Sequence, residues 1–253
     1  MTLSFDGSVA VPRLTRIRRQ NVPVTSVIAV VGLEHVAIAG DSLWVDGLGN
    51  HVADRSKVVK RGSRAGGLAG FTEFGGCNFV DQLAESLESA ETLRDVIFDF
   101  KERIGDYAQL ALQRLRSITP SGIETFSIGI LIAECDKNGV SGFSASMTVD
   151  GKHCDVEQER WIPNTERSTC YIVGVGDSVE YYAEPLRTLL EERALLAVVG
   201  DCTIPILATS SEQESAARSL VQRVIDNETA ITRPAWWKSG VPLVLEPISV
   251  VSL

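Results

Sequence analysis

The chain has 253 residues, 44% of them hydrophobic, and a formal net charge of -9. Length and apolar content suffice for one large domain with a sizeable core, while the acidic balance argues against a nucleic-acid binder, since phosphates are repelled where no basic patch is segregated. No apolar run reaches the roughly eighteen residues of a membrane span, no apolar secretory segment opens the sequence, and the five cysteines lack C-x-x-C spacing, so neither a disulfide framework nor a zinc ribbon is indicated and reduced thiols in a cytoplasm are expected.

Residues 1 to 24 carry Arg13, Arg16, Arg18 and Arg19, Pro12 and Pro23, and no sustained apolar period. They read as a pro-segment or N-terminal extension to a domain spanning 25 to 253. From Thr25 to Ala39 two apolar runs joined at Gly32 to His35 predict a hairpin buried on both faces. Gly66-Gly67-Leu68-Ala69-Gly70 reads as punctuation before two helices. One carries an apolar stripe of Phe79, Val80, Leu83 and Leu87, the other of Leu93, Ile97, Phe100 and Ile104, continued by Ala108, Ala111 and Leu115. Residues 125 to 134 return to strand character, Asp136-Lys137-Asn138-Gly139 is a turn, and Val140 to Trp161 predicts two strands around Asp150-Gly151. A strand from Thr169 to Gly176 precedes a helix from about Ser178 to Ala194. A further helix follows Ser210 or Ser211 as cap, with Ala217, Leu220 and Val221 on its apolar face, and Pro242 to Leu253 is a closing strand. Strands, a helix pair, strands, a helix pair and a last strand predict an α+β chain of two sheets between helical layers.

Thr25 opens the first strand, Asp41 closes the hairpin and Lys57 follows sixteen residues later. A threonine hydroxyl needs a base as it attacks a carbonyl. The three histidines, His35, His51 and His153, form no Ser/His/Asp arrangement with a G-x-S-x-G elbow. A Thr25 that heads the chain supplies its own α-amino group, of ordinary pKa about 8, as that base. Lys57 then lowers the proton affinity of amine and hydroxyl, Asp41 holds Lys57 ionised and oriented, and the Gly70 N–H, on a backbone that substrate can approach closely, is the candidate oxyanion donor. Ser26 is one position out of register and points to the other face of the strand.

The segments Thr25-Ser26-Val27-Ile28-Ala29-Val30-Val31-Gly32, Val36-Ala37-Ile38-Ala39-Gly40-Asp41 and Ser56-Lys57-Val58 resemble the N-terminal core of proteasome β-type subunits and their bacterial relatives, which are N-terminal-nucleophile (Ntn) hydrolases. The resemblance implies a four-layer αββα sandwich, a catalytic centre of Thr25, Asp41 and Lys57, an oxyanion role for Gly70, and a supporting Ser-Gly at Ser239-Gly240. Val173-Gly174-Val175-Gly176 is similar to the family's Gly-Ser-Gly. It also implies a self-processed threonine peptidase in a homo-oligomeric ring or array, acting on peptides or unfolded proteins, without metal or organic cofactor, and served by a separate ATPase unfoldase, since the chain has no P-loop. Three residues depart from the family pattern. Val24 stands where Gly usually precedes the Thr, Val175 replaces the Ser between the two glycines, and Trp236 replaces an Asp. These favour the alternative of a non-catalytic subunit with an uncut N-terminus; a small-molecule amide hydrolase of the Ntn class is the third reading.

Taken singly, each residue has a plainer explanation: Thr25 as a β-former, Asp41 as a turn residue, Lys57 as a solvated charge. The joint register carries the catalytic reading. By the same resemblance Trp44, Arg55, Val59 and Leu68 fall at substrate-pocket positions. His153, Cys154 and Glu157, Cys77 before a helix, and Trp236-Trp237 read as structural.

Overall fold

The computed structural model describes residues 27–32, 34–45, 51–70, 72–118, 124–161, 171–175, 210–226 and 246–253. The predicted first hairpin is β1 (Val27–Val31) and β2 (Val36–Gly40), and every residue of both strands is buried. That is why the sequence there is a continuous apolar run and does not alternate. Val27, Ala29, Val31 and Ile38 belong to a cluster with Ala65, Ala69, Leu131 and Ala133 of a second sheet. The alternate residues Ile28 and Val30, equally buried, turn to the other face.

After β2 come two short strands, β3 (Leu43–Val45) and β4 (His51–Asp54), then β5 (Val58–Arg61), β6 (Arg64–Ala69), β7 (Glu73–Phe74) and β8 (Cys77–Asn78). Helices α1 (Phe79–Ser89) and α2 (Leu93–Ile118) follow, then the long strands β9 (Phe126–Asp136), β10 (Gly139–Val149) and β11 (Cys154–Trp161). β12 (Tyr171–Val175), α3 (Ser210–Asp226) and β13 (Ser249–Ser252) complete the described elements. One sheet has the order β12-β1-β2-β13 and the other β11-β10-β9-β6-β5, all antiparallel, with β3–β4 and β7–β8 as separate pairs.

Helix α3 packs on β1, β2 and β13, the two sheets pack on each other, and α1 and α2 cover the five-stranded sheet. The layer order is helix, sheet, sheet, helix, the αββα sandwich expected from the sequence. Between the helix pair and its sheet lie Leu68, Leu83, Ile97, Phe100, Ile104, Phe126, Ile128 and Ile130. Successive residues of β6 and β9 thus serve two cores, one on each face.

One sequence expectation is corrected here. Gly66 and Gly67 do not end a segment; they sit inside β6, a central strand between β5 and β9. A glycine in a strand costs about 0.5–1 kcal/mol against alanine, and here both faces are too close for a side chain. A Cβ on Gly66 would lie 3.0 Å from Leu131 O and 3.2 Å from Leu83 Cδ2, and one on Gly67 would lie 2.6 Å from Val27 Cγ1. Two boundaries also move. Helix α3 already contains Ser210 and Ser211, and among the described residues 246–253 the closing strand covers Ser249–Ser252. The predicted helix from Ser178 to Ala194, and residues 1 to 24, lie outside the described residues.

Local chemistry fixes the ends of α1. Asn78 caps its start, the side-chain oxygen accepting from the N–H groups of Val80 (2.9 Å) and Asp81 (3.2 Å). Arg64 binds its far end, donating to the carbonyls of Ala90 (2.6 Å), Leu87 (3.3 Å) and Glu91 (3.0 Å) while pairing with Glu134 at 2.8 Å. The helix that covers β5 and β6 is therefore tied to β6 itself.

Candidate active site

Val27, the first residue of β1, stands opposite Gly40 on one side and Val175 on the other, and Gly40 in turn faces Ser249. Asp41 is the next residue after Gly40, so it emerges at the end of the sheet where β1 begins. In the other sheet Lys57 immediately precedes β5, and its carbonyl accepts from the Leu68 N–H of β6 at 3.0 Å. The packing of the two sheets brings these ends together, and Lys57 Nζ donates to Asp41 Oδ2 at 2.7 Å. The Lys57 and Asp41 side chains are 1% and 0% exposed.

Such a pair is costly to bury, because each ion loses its water and the attraction between the two must offset that loss. Burial pushes the Lys57 ammonium below the ordinary lysine value, and the charge and hydrogen bond of Asp41 draw it back only in part. Asp41 thus acts in the direction of the ionised lysine, as the sequence reading expects, but desolvation is the larger influence and the net displacement is downward. Ser42, also buried, extends the frame, its carbonyl accepting from the Arg55 N–H at 3.0 Å and tying the segment after β2 to the segment before Lys57.

Gly70 follows β6 at the same end of the β5–β6 pair as Lys57. Its φ of +103° is open only to glycine, and a Cβ there would stand 3.0 Å from Ser127 O. Of the residues singled out in the sequence, Asp41 and Lys57 are in direct contact, Gly70 lies at their end of the fold, and Thr25 and Ser239 lie outside the described residues, as do Val24 and Trp236. Val175 is the cross-strand partner of Val27.

The proposed pocket side chains divide. Arg55 is exposed and pairs with Glu73 at 3.4 Å. Leu68 is fully buried in the core beneath the helices and so lines no pocket, while Val59 is partly buried and packs against the same cluster. Trp44 lies in β3. Cys77 lies in β8 with Asn78 as the helix cap, and its thiol is pushed up by burial and by Glu85, Asp81 and Glu73, the opposite of an activated thiolate. Among the described residues, no three His, Cys, Asp or Glu side chains converge as metal ligands, and no helix is long and apolar enough to cross a membrane.

The class defined by these observations is an αββα sandwich with a buried lysine–aspartate pair at one end of its two sheets. Among solved structures the chain is similar to eukaryotic HslV from Trypanosoma brucei, at 14% identity over 90% of this chain and 98% of that one, with a TM-score of 0.40. It is similar to Anbu, described as an ancestral beta-subunit, from Yersinia bercovieri, at 14% identity over 90% of this chain and 81% of that one, with a TM-score of 0.46. The Gly-1 mutant of Anbu from Hyphomicrobium sp. strain MC1 matches at 14% identity over 89% of this chain and 79% of that one, with a TM-score of 0.42. No family model and no curated protein matches the sequence.

Proposed function

We propose that this chain is a proteasome-like threonine peptidase whose nucleophile is Thr25, exposed by removal of residues 1 to 24. The observation that carries the reading is the buried Lys57–Asp41 pair, 2.7 Å apart, at the end of the sheets where β1 begins. A purely structural chain gains little from such a pair, since apolar residues of similar volume fill the space at no worse stability. Two peptide units separate Thr25 from Val27, so covalent geometry keeps their Cα atoms within about 7 Å.

In the maturation step the Thr25 hydroxyl attacks the Val24 carbonyl, the peptide bond becomes an ester, and water hydrolyses it. This leaves a carboxylate on Val24 and a free amine on Thr25. In turnover that amine takes the hydroxyl proton as Oγ attacks a substrate carbonyl, with the Gly70 N–H receiving the developing oxyanion. The departing amine takes the proton, and water then attacks the acyl ester, returning the hydroxyl and releasing the acid. Lys57, as an ammonium, favours the deprotonated amine and hydroxyl, and Asp41 fixes its position. By the resemblance, Ser239 supports the amine. By the same resemblance the working form is a closed or helical homo-oligomer in the cytoplasm, fed with peptide or unfolded protein by a separate ATPase unfoldase. The free thiols of Cys77, Cys135 and Cys154 suit a reducing compartment.

Val175, opposite Val27, and the β-branched Val24 favour a second reading, a non-catalytic subunit with its N-terminus intact. Intact mass of the purified protein and of Thr25→Ala, with turnover of a fluorogenic peptide series, separates the two. The peptidase reading expects a wild-type chain that begins at Thr25 and cleaves peptides, and a variant that is uncut and inert. A wild-type chain that keeps residues 1 to 24 lacks the amine and points to the structural subunit. Hydrolysis of a small acyl amide with no peptide cleavage points to a small-molecule amidase.

A further inference from the structure

We infer that Gly67 is a positioning residue of this centre: the absence of a side chain at 67 sets how close the start of β1 comes to Lys57. The inference rests on the hydrolase reading and adds to it a residue that touches no substrate.

Gly67 faces the space between the two sheets, in register with Val58 of β5 and Leu131 of β9. A Cβ built on it would stand 2.6 Å from Val27 Cγ1, 3.0 Å from Val58 Cγ1 and 3.4 Å from Lys57 O. Its φ is not in the left-handed region, so the requirement is for space and not for an unusual backbone. The three atoms it would meet belong to the two segments whose separation matters. Val27 is two residues from Thr25, and Val58 and the Lys57 carbonyl flank the lysine side chain that meets Asp41. Val27 and Val58 are 0% and 4% exposed, so neither yields into solvent. A larger residue must push β1 away from β6 or drive β5 outward, and either displacement changes the distance between the start of β1 and Lys57.

Gly66, one residue earlier in the same strand, supplies the control. Its Cβ would crowd Leu131 O, Ile132 Cγ2 and Leu83 Cδ2, on the face toward α1 and away from the site. Both substitutions are tight, but only one lies between the segments that carry the chemistry.

The experiment compares wild type, Gly67→Ala, Val27→Ala, the double variant and Gly66→Ala. It measures peptide turnover, thermal unfolding and the titration of Lys57, followed through its Cε resonance in 13C-lysine-labelled protein. Misplacement of reacting groups by up to about 1 Å costs on the order of 10–100-fold. Gly67→Ala is expected to lose kcat on that scale with KM unchanged and to displace the Lys57 titration. Val27→Ala, which removes the opposing methyl groups, restores both in the double variant. Gly66→Ala lowers Tm while leaving kcat and the titration as in wild type. Wild-type kcat in Gly67→Ala, a loss that Val27→Ala does not repair, or equal effects of Gly66→Ala overturns the inference. A wild-type protein without peptide turnover defeats the peptidase reading, and the Lys57 titration alone then decides whether Gly67 sets the geometry: coincident curves for wild type and Gly67→Ala refute it.

Discussion

At the scale of single residues, the Lys57–Asp41 pair yields the sharpest expectations. Removing one partner of a buried pair takes away the opposite charge that offsets the desolvation of the other, so Asp41→Ala is expected to lose about 3–5 kcal/mol of stability, read by urea unfolding at neutral pH. The lysine is held below its ordinary value. Below the folded pKa both states carry the proton and Lys57 adds no pH dependence. Between that value and the unfolded value near 10.4 the unfolded chain binds more protons, so this residue makes stability rise with pH across the window. Activity follows the opposite sense: if the ammonium is needed, kcat falls as pH rises through the lowered folded pKa, an alkaline limb below the usual lysine range. A limb that persists in Lys57→Arg, which stays charged, assigns it to another group. Gly70→Ala forces a Cβ residue to φ +103° against Ser127 O. It is expected to cost on the order of 1–3 kcal/mol and to lower kcat more than it raises KM. Asp41 and Lys57 were legible in the sequence only jointly, through the resemblance carried by the segments around them, since singly they read as a turn residue and a solvated charge. Gly67 was not, since the reason for a glycine lies in what opposes it, here Val27 of a distant strand.

Among elements, the long ones announced themselves. The stripes of α1 and α2, the turns at Asp136 to Gly139 and around Asp150, and the unbroken apolar runs of β1 and β2 carry enough residues for a period to show. The two- to four-residue strands β3, β4, β7 and β8 are too short to show one. β6 was misread because Gly-Gly is turn chemistry unless both of its faces are packed against neighbours. Leu68 was read as a pocket residue, yet strand alternation turns it to the helical core while Gly67 and Ala69 face the other sheet. The attachment of α1 to β6 through Arg64 is testable at this scale. Arg64→Ala frees the carbonyls of Leu87, Ala90 and Glu91. The expected cost is about 1–3 kcal/mol, with faster amide exchange confined to the last turn of α1. Uniform acceleration across α1 and α2 would mean that Arg64 supports the whole layer.

For the whole molecule, the two sheets are assembled from different stretches of chain. The five-stranded sheet draws on Val58 to Trp161 and is dominated by the β9–β10–β11 meander, whereas the other joins β1 and β2 to β12 and β13. Contacts between near neighbours in sequence close at lower entropic cost than distant ones. Pulse-labelling exchange during refolding is therefore expected to protect amides of β9 and β10 before those of β2 that pair with β13. Simultaneous protection would show that the sheets form together. The layer order was readable because alternation of strand and helix groups constrains which faces can be buried, while the contact between the sheets, which creates the site, has no local signature. Gly40, one residue before Asp41, is bonded in register to Ser249, and this pairing bears on protein synthesis. While a ribosome is still making the chain, the strand that completes the edge beside Asp41 has not yet been translated. A nascent polypeptide therefore carries Asp41 and Lys57 long before the strand that flanks Gly40. The edge of the sheet beside Asp41 is thus closed only after Ser249 has been made, so the last step in building this end of the fold follows release of the chain's final segment.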